Sequence, residues 1–130
     1  MKKYENFCSA LHNLKSVYEC EEPYDIVTLT GLVGLYEICF EQAWKLMKAL
    51  LEEYGFEGSA TGSPKTVLKT AFKAGMIHDE KLWLEALQER NNVVHSYNEN
   101  IALGIVNHTK EAFCEMFDKL KEELEENWLN

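Results

Sequence analysis

The sequence predicts an all-α fold: an antiparallel up-and-down bundle of four long helices plus one short helix. Three observations lead there. Apolar residues recur at three- and four-residue steps along most of the chain. Helix start and stop signals punctuate those stretches at Pro23, Ser63-Pro64, Gly75, Asp79 and Asn98. The one β-branched run, Ile26-Val27-Thr28-Leu29-Thr30, has no candidate partner strand elsewhere, so a helical reading wins there too.

The elements follow in order. From Lys3 to about Cys20, the residues Tyr4, Phe7, Leu11, Leu14 and Tyr18 trace one face of an amphipathic helix. Glu21-Glu22-Pro23 ends it, because proline lacks the amide that the ladder needs. Asp25 is placed to cap a second, longer helix reaching about Tyr54, with Tyr36, Phe40, Ala43, Met47 and Leu51 on its apolar side. Gly31 and Gly34 lower its propensity and point to close approach of a neighbouring helix, from this chain or another copy. The segment Phe40-Glu41-x-Ala43-Trp44-Lys45 within it reads as packing.

Gly55 to Gly62 is a loop. Ser63 as N-cap and Pro64 at the first helical position then open a short crossover helix, which Gly75 closes in a left-handed cap. Lys65, Lys69 and Lys73 share its outer face, either simply solvated or a resting place for an RNA backbone or an acidic partner. Asp79 caps the next helix, the chain bends around Tyr97-Asn98-Glu99, and Asn98 caps a last helix from about Ile101 to Trp128. The acidic run Glu122 to Glu126 opposes the helix dipole, so fraying is expected there.

Length and charge bound the function. A chain of 130 residues holds one domain, 1–130, with one core. The net charge of −9 argues against a general nucleic-acid coat, but not against a local phosphate site. Cys8, Cys20, Cys39 and Cys114 show no metal-ligand spacing, which suits reduced thiols in a cytoplasmic protein. No apolar core follows Lys2, Lys3 and Glu5, so no signal peptide is expected. The longest uncharged run, Ile26 to Tyr36, is eleven residues and too short to span a bilayer. His12 and His108 read as isolated, and His78 as a loop residue.

The candidate site is Arg90-Asn91-Asn92-Val93-Val94-His95-Ser96-Tyr97, which holds the chain's only arginine. On a helical wheel with Arg90 at 0°, Trp83, Leu84, Leu87 and Val94 fall between about 20° and 120°, and Leu82, Ala86 and Val93 between about 280° and 320°. Arg90 therefore points out of the middle of an apolar face, with Tyr97 two turns on and nearly beneath it. An arginine keeps its charge on burial, so it demands a carboxylate, a phosphate or a group of carbonyls. Two readings stay open: a structural Arg–Glu pair, or a phosphate clamp with His95 as acid or base.

The spacing Arg-x4-His-x-Tyr resembles the signature of HEPN domains that are paired with minimal nucleotidyltransferases. The resemblance spans roughly residues 36 to 106 through Phe40-Glu41-x-Ala43-Trp44-Lys45, Ser63-Pro64, Ala71-Phe72-Lys73-Ala74-Gly75, Leu82-Trp83-Leu84 and the octet with Asn98-Glu99. Each motif is short; the ordered set is similar to the subgroup called nucleotidyltransferase substrate-binding proteins. Leu35-Tyr36-Glu37-Ile38-Cys39 stands where that subgroup often has Gln-Arg before its Phe-Glu.

The resemblance implies a homodimeric HEPN-type bundle encoded beside a small nucleotidyltransferase as a toxin–antitoxin-like pair. It implies a metal-independent ribonuclease with Arg90 and His95 as the catalytic pair, Asn91 as polar assistant, and Tyr97 as the residue that the partner adenylylates. No cofactor of the chain's own is expected; ATP and Mg²⁺ would serve the partner. The chemistry is coherent, since imidazole suits proton transfer to and from the 2′-hydroxyl and the leaving oxygen, and guanidinium suits phosphorane charge. The alternatives are a non-catalytic subunit that binds substrate for the nucleotidyltransferase, and a purely structural helical dimer.

Overall fold

The computed structural model describes residues 1–56 and 62–129, and among these every regular element is helical. The helices are α1 Lys2–Leu14, α2 Ile26–Glu53, α3 Pro64–Lys73, α4 Glu80–Asn91, α5 Glu99–His108 and α6 Cys114–Asn127. A π-helical turn, Thr109–Phe113, joins α5 to α6 in one unbroken rod, so the chain makes four long rods and the short α3. Of the expected loop Gly55 to Gly62, residues 57–61 lie outside the described residues.

The caps sit where the sequence places them. Asp25 accepts from the Thr28 amide, Ser63 from Thr66, Asp79 from Leu82, and Asn98 from both Asn100 and Ile101. Each satisfies amides that have no partner inside the helix. Gly75 closes α3 with φ of +80°, while the Met76 amide reaches back to the Ala71 carbonyl and the Gly75 amide to Phe72. A side chain there would be strained, which is why the stop is a glycine.

The helix α2 is the axis of the bundle. Eleven of its residues are buried, from Leu29 to Leu51, and α1, α3, α4 and α5 all pack on it. By length and composition alone α2 is long and apolar enough to cross a bilayer, which the eleven-residue uncharged run had not suggested; here its apolar side forms the centre of the bundle. Around it Tyr36 stacks on Phe113 at 5.4 Å, Trp83 meets Phe117 edge-on at 5.5 Å, and Phe7 meets Phe117 at 6.2 Å. The Tyr36 hydroxyl donates to the Ala86 carbonyl, which gives a buried polar atom its partner and fixes α4 against α2.

Three expectations need correction. The first helix ends at Leu14, and Lys15–Glu19 continues as a 3₁₀ turn. There Tyr18 donates to the Lys110 carbonyl, while Lys110 Nζ donates to the Cys20 carbonyl at 2.7 Å and the Tyr24 hydroxyl at 2.8 Å, so the connection is pinned to the π turn.

The acidic end of α6 does not fray: it stays helical to Asn127. Glu123 accepts from Asn127 and is paired with His78, and Glu125 is held by Tyr4 and Lys121. Tertiary partners outweigh an unfavourable dipole of under about 1 kcal/mol.

Gly31 and Gly34 are not sites of close approach among the described residues of the chain, because a Cβ at either would meet nothing within 4 Å. They lie on a stripe with exposed Val27 and Ile38.

Candidate functional site

The octet does not form one helix. The α-helix ends at Asn91, and Asn92–His95 tightens into a 3₁₀ turn before Asn98 restarts the chain as α5. The local cause is legible: two asparagines and two valines are weak helix formers in succession. The consequence is that a wheel of 100° per residue does not describe Val94, His95 and Tyr97, while Val93 still packs against the core. Val94 and Tyr97, placed by the wheel on or near the apolar face, are 73% and 84% exposed.

Arg90 is half-buried at the end of α4. Its guanidinium forms an ion pair with Glu41 of α2, and its Nη1 donates to Asn91 Oδ1 at 3.1 Å. Glu41 is itself held in place, since its other oxygen accepts from the Trp44 indole at 3.0 Å and lies 4.0 Å from Lys45 Nζ. The charge that needed a partner on sequence grounds has one.

Sequence reasoning filed Glu41 under packing and so missed it. The available signal was a lone carboxylate between Phe40 and Ala43, both fully buried, on the same helix as the rest of the core.

His95 closes the 3₁₀ turn and is exposed. Its ring meets the Tyr97 ring edge-on at 6.3 Å, so these two form one surface feature. No hydrogen bond or ion pair joins either to Arg90 or Asn91 among the described residues. Of the four site residues named from sequence, the structure thus brings Arg90 to Asn91 and His95 to Tyr97. The Tyr97 hydroxyl has no partner within the described chain, so it is free to react or to bind.

A second polar region lies on the other side of α4. His108 Nδ1 is 2.8 Å from Glu89, so it is not isolated but links α5 to α4. His78 is 3.0 Å from Glu123, with hydrogen bonds from His78 and Asn127 overcoming the upward pull of burial to hold that carboxyl below its usual range. No set of three or more His, Cys, Asp or Glu among the described residues is arranged to hold a metal ion.

Two solved structures share this architecture. One is ttk003001694 from Thermus thermophilus, 29% identical over 95% of this chain and 99% of that one, with a TM-score of 0.75. The other is HI0074 from Haemophilus influenzae, described as revealing the fold of a substrate binding domain of a nucleotidyltransferase. It is 19% identical over 94% of this chain and 98% of that one, with a TM-score of 0.80. No curated protein matches the chain. The family model described as nucleotidyltransferase substrate binding protein like matches residues 2–126, so this chain belongs to that family.

Proposed function

We propose that this chain is the non-catalytic, substrate-binding subunit of a small nucleotidyltransferase, working as a homodimer in the cytoplasm. The observation that carries the reading is the ion pair of Arg90 with Glu41. An arginine that stabilises a phosphorane must offer uncompensated charge as the reaction proceeds. This one is already paired with a carboxylate of its own bundle, and no hydrogen bond joins it to His95 among the described residues. Such an arginine shapes and orients a binding surface. The dimer is supported by the exposed stripe Val27, Gly31, Gly34 and Ile38 along α2, which recurs at helical spacing and has no partner among the described residues.

A second reading is a metal-independent ribonuclease of a toxin–antitoxin-like pair, silenced by adenylylation. What favours it is Tyr97, 84% exposed beside His95 with an unengaged hydroxyl. In that reaction the Tyr97 oxygen attacks the α-phosphorus of ATP, the bond to pyrophosphate breaks, and the phenolic proton passes to a base.

One experiment separates the two. The chain is incubated with RNA in EDTA, and separately with the nucleotidyltransferase, ATP and Mg²⁺ under conditions where that enzyme is active. The substrate-binding reading expects intact RNA, an unchanged mass for this chain, and a nucleotidyltransferase whose KM for its acceptor falls when the chain is present. RNA cleavage in EDTA that is lost on addition of AMP at Tyr97 would overturn it in favour of the ribonuclease.

A further inference from the structure

A groove runs along the face of α4 that looks toward the π turn and α6. The helix α4 packs on α2 and α3 and touches α6 chiefly through Trp83 against Phe117, which leaves a channel beside it. Two cavities of about 330 and 430 Å³ lie along this channel and adjoin at Leu82, Glu111 and Ala112, which wall both. From Asp79 to Glu89 the groove follows α4 for ten residues, about 15 Å at helical rise, or roughly three turns.

The floor is apolar: Leu82, Trp83, Ala112, Met116 and Leu120. The π turn contributes to it directly. Thr109 donates its hydroxyl to the Ile105 carbonyl at 2.8 Å, a back-bond that competes with the amide ladder where the helix widens. The widened turn carries Glu111 and Ala112 along the channel wall.

The rim is acidic. Asp79, Glu85, Glu89, Glu111 and Glu115 line it against one lysine, Lys119, which is already 3.4 Å from Glu115. Glu89 is engaged by His108, and Asp79 by the amide it caps. Glu85 and Glu111 have no ion-pair partner among the described residues. Both line the cavity of about 430 Å³ beside Leu82, Ala112 and Phe113, and two unpaired carboxylates beside apolar walls are complementary to a rod with an apolar stripe and cationic flanks.

We propose that this groove receives a basic amphipathic helix of a partner protein, about three turns long, with leucine or methionine on the buried stripe and lysine or arginine beside it. The lining follows α4 from Asp79 to Glu89, which suits a rod better than a compact small molecule. It lies apart from the surface of His95 and Tyr97 and does not depend on what that surface does.

The probe is a fluorescein-labelled synthetic 14-residue helix with leucines at three- and four-residue spacing and flanking lysines. It is titrated against the full chain by fluorescence anisotropy. Micromolar binding is expected, with at least a tenfold loss when the flanking lysines are replaced by glutamates, and a similar loss when the leucines become serines.

The double variant Glu85→Lys, Glu111→Lys, with unchanged circular dichroism and Tm, should weaken binding at least tenfold. The double variant Glu5→Lys, Glu52→Lys, an equal charge change at exposed positions elsewhere, should leave it within twofold. Equal weakening by both variants would reduce the effect to net charge and overturn the proposal. Full displacement by spermine at matched charge would assign the groove to small polycations and overturn it as well. Self-association that is lost only in the Glu85→Lys, Glu111→Lys variant would assign the groove to a second copy of this chain, which also overturns the proposal.

Discussion

Arg90, at the C-terminal end of α4, is ion-paired with Glu41 in the middle of α2. Each side chain retains about a quarter of its exposure, so solvent screens the pair in part. Removing Glu41 alone leaves a half-buried cation with no other carboxylate paired to it among the described residues. Glu41→Ala should cost about 1–2 kcal/mol, and Glu41→Ala with Arg90→Met less than the two single changes summed. Urea denaturation of the three variants measures both quantities.

The core carries two groups whose ionisation burial disfavours. Burial first, and the charge of Glu89 second, push the Tyr36 hydroxyl well above its ordinary value; burial does the same for the Cys39 thiol. A raised folded value means that the native state holds its protons longer than the unfolded chain does. Their contribution to stability is therefore complete below the ordinary thiol and phenol range and falls away as the pH climbs above about 9–10. Thermal melts between about pH 7 and 11 should show Tm falling above about pH 9. The variant Tyr36→Phe with Cys39→Ala should be less stable at neutral pH but should lose less Tm over the alkaline range.

The turn that presents His95 and Tyr97 is held at its far end by Asn98, whose side chain accepts from the Asn100 and Ile101 amides at 3.0 and 3.3 Å. Asn98→Ala should cost about 1 kcal/mol, the usual worth of an N-cap. Amide exchange should quicken around residues 97 to 102 while the α2 core keeps its protection. Uniform quickening across the chain would mean that the cap supports the whole bundle rather than this turn.

The stripe on α2 gives the proposed homodimer a direct check. Val27 and Ile38 are 78% and 53% exposed, on the same face as two glycines that leave room for a second backbone. Val27→Glu with Ile38→Glu should convert a dimer into a monomer by light scattering at micromolar concentration, with helical circular dichroism unchanged. A wild-type chain that is already monomeric there would remove the dimer from the proposed function.

Local chemistry decided more of this molecule than its length suggests. Asp25, Ser63, Asp79 and Asn98 each cap the helix that the sequence assigned to them, and Gly75 ends α3, because a cap is a contact between residues two or three apart. The bundle and its core stripe follow from the three- and four-residue spacing of residues such as Tyr36, Phe40, Ala43 and Met47. The sequence also singled out Arg90 as a charge in need of a partner.

Which partner was a tertiary decision. Glu41 lies on a different helix, and only the packing of α4 on α2 brings the two side chains together. The same holds for the break after Asn91, where weak helix formers permit a bend. The turn into α5 then leaves Tyr97 exposed to solvent. It holds again for the end of α6, where Tyr4 and His78 come from distant segments to steady carboxylates that local electrostatics would have let fray. Periodicity and caps read neighbours along one helix; the direction of an ion pair between helices is set by how those helices cross, which no local pattern encodes.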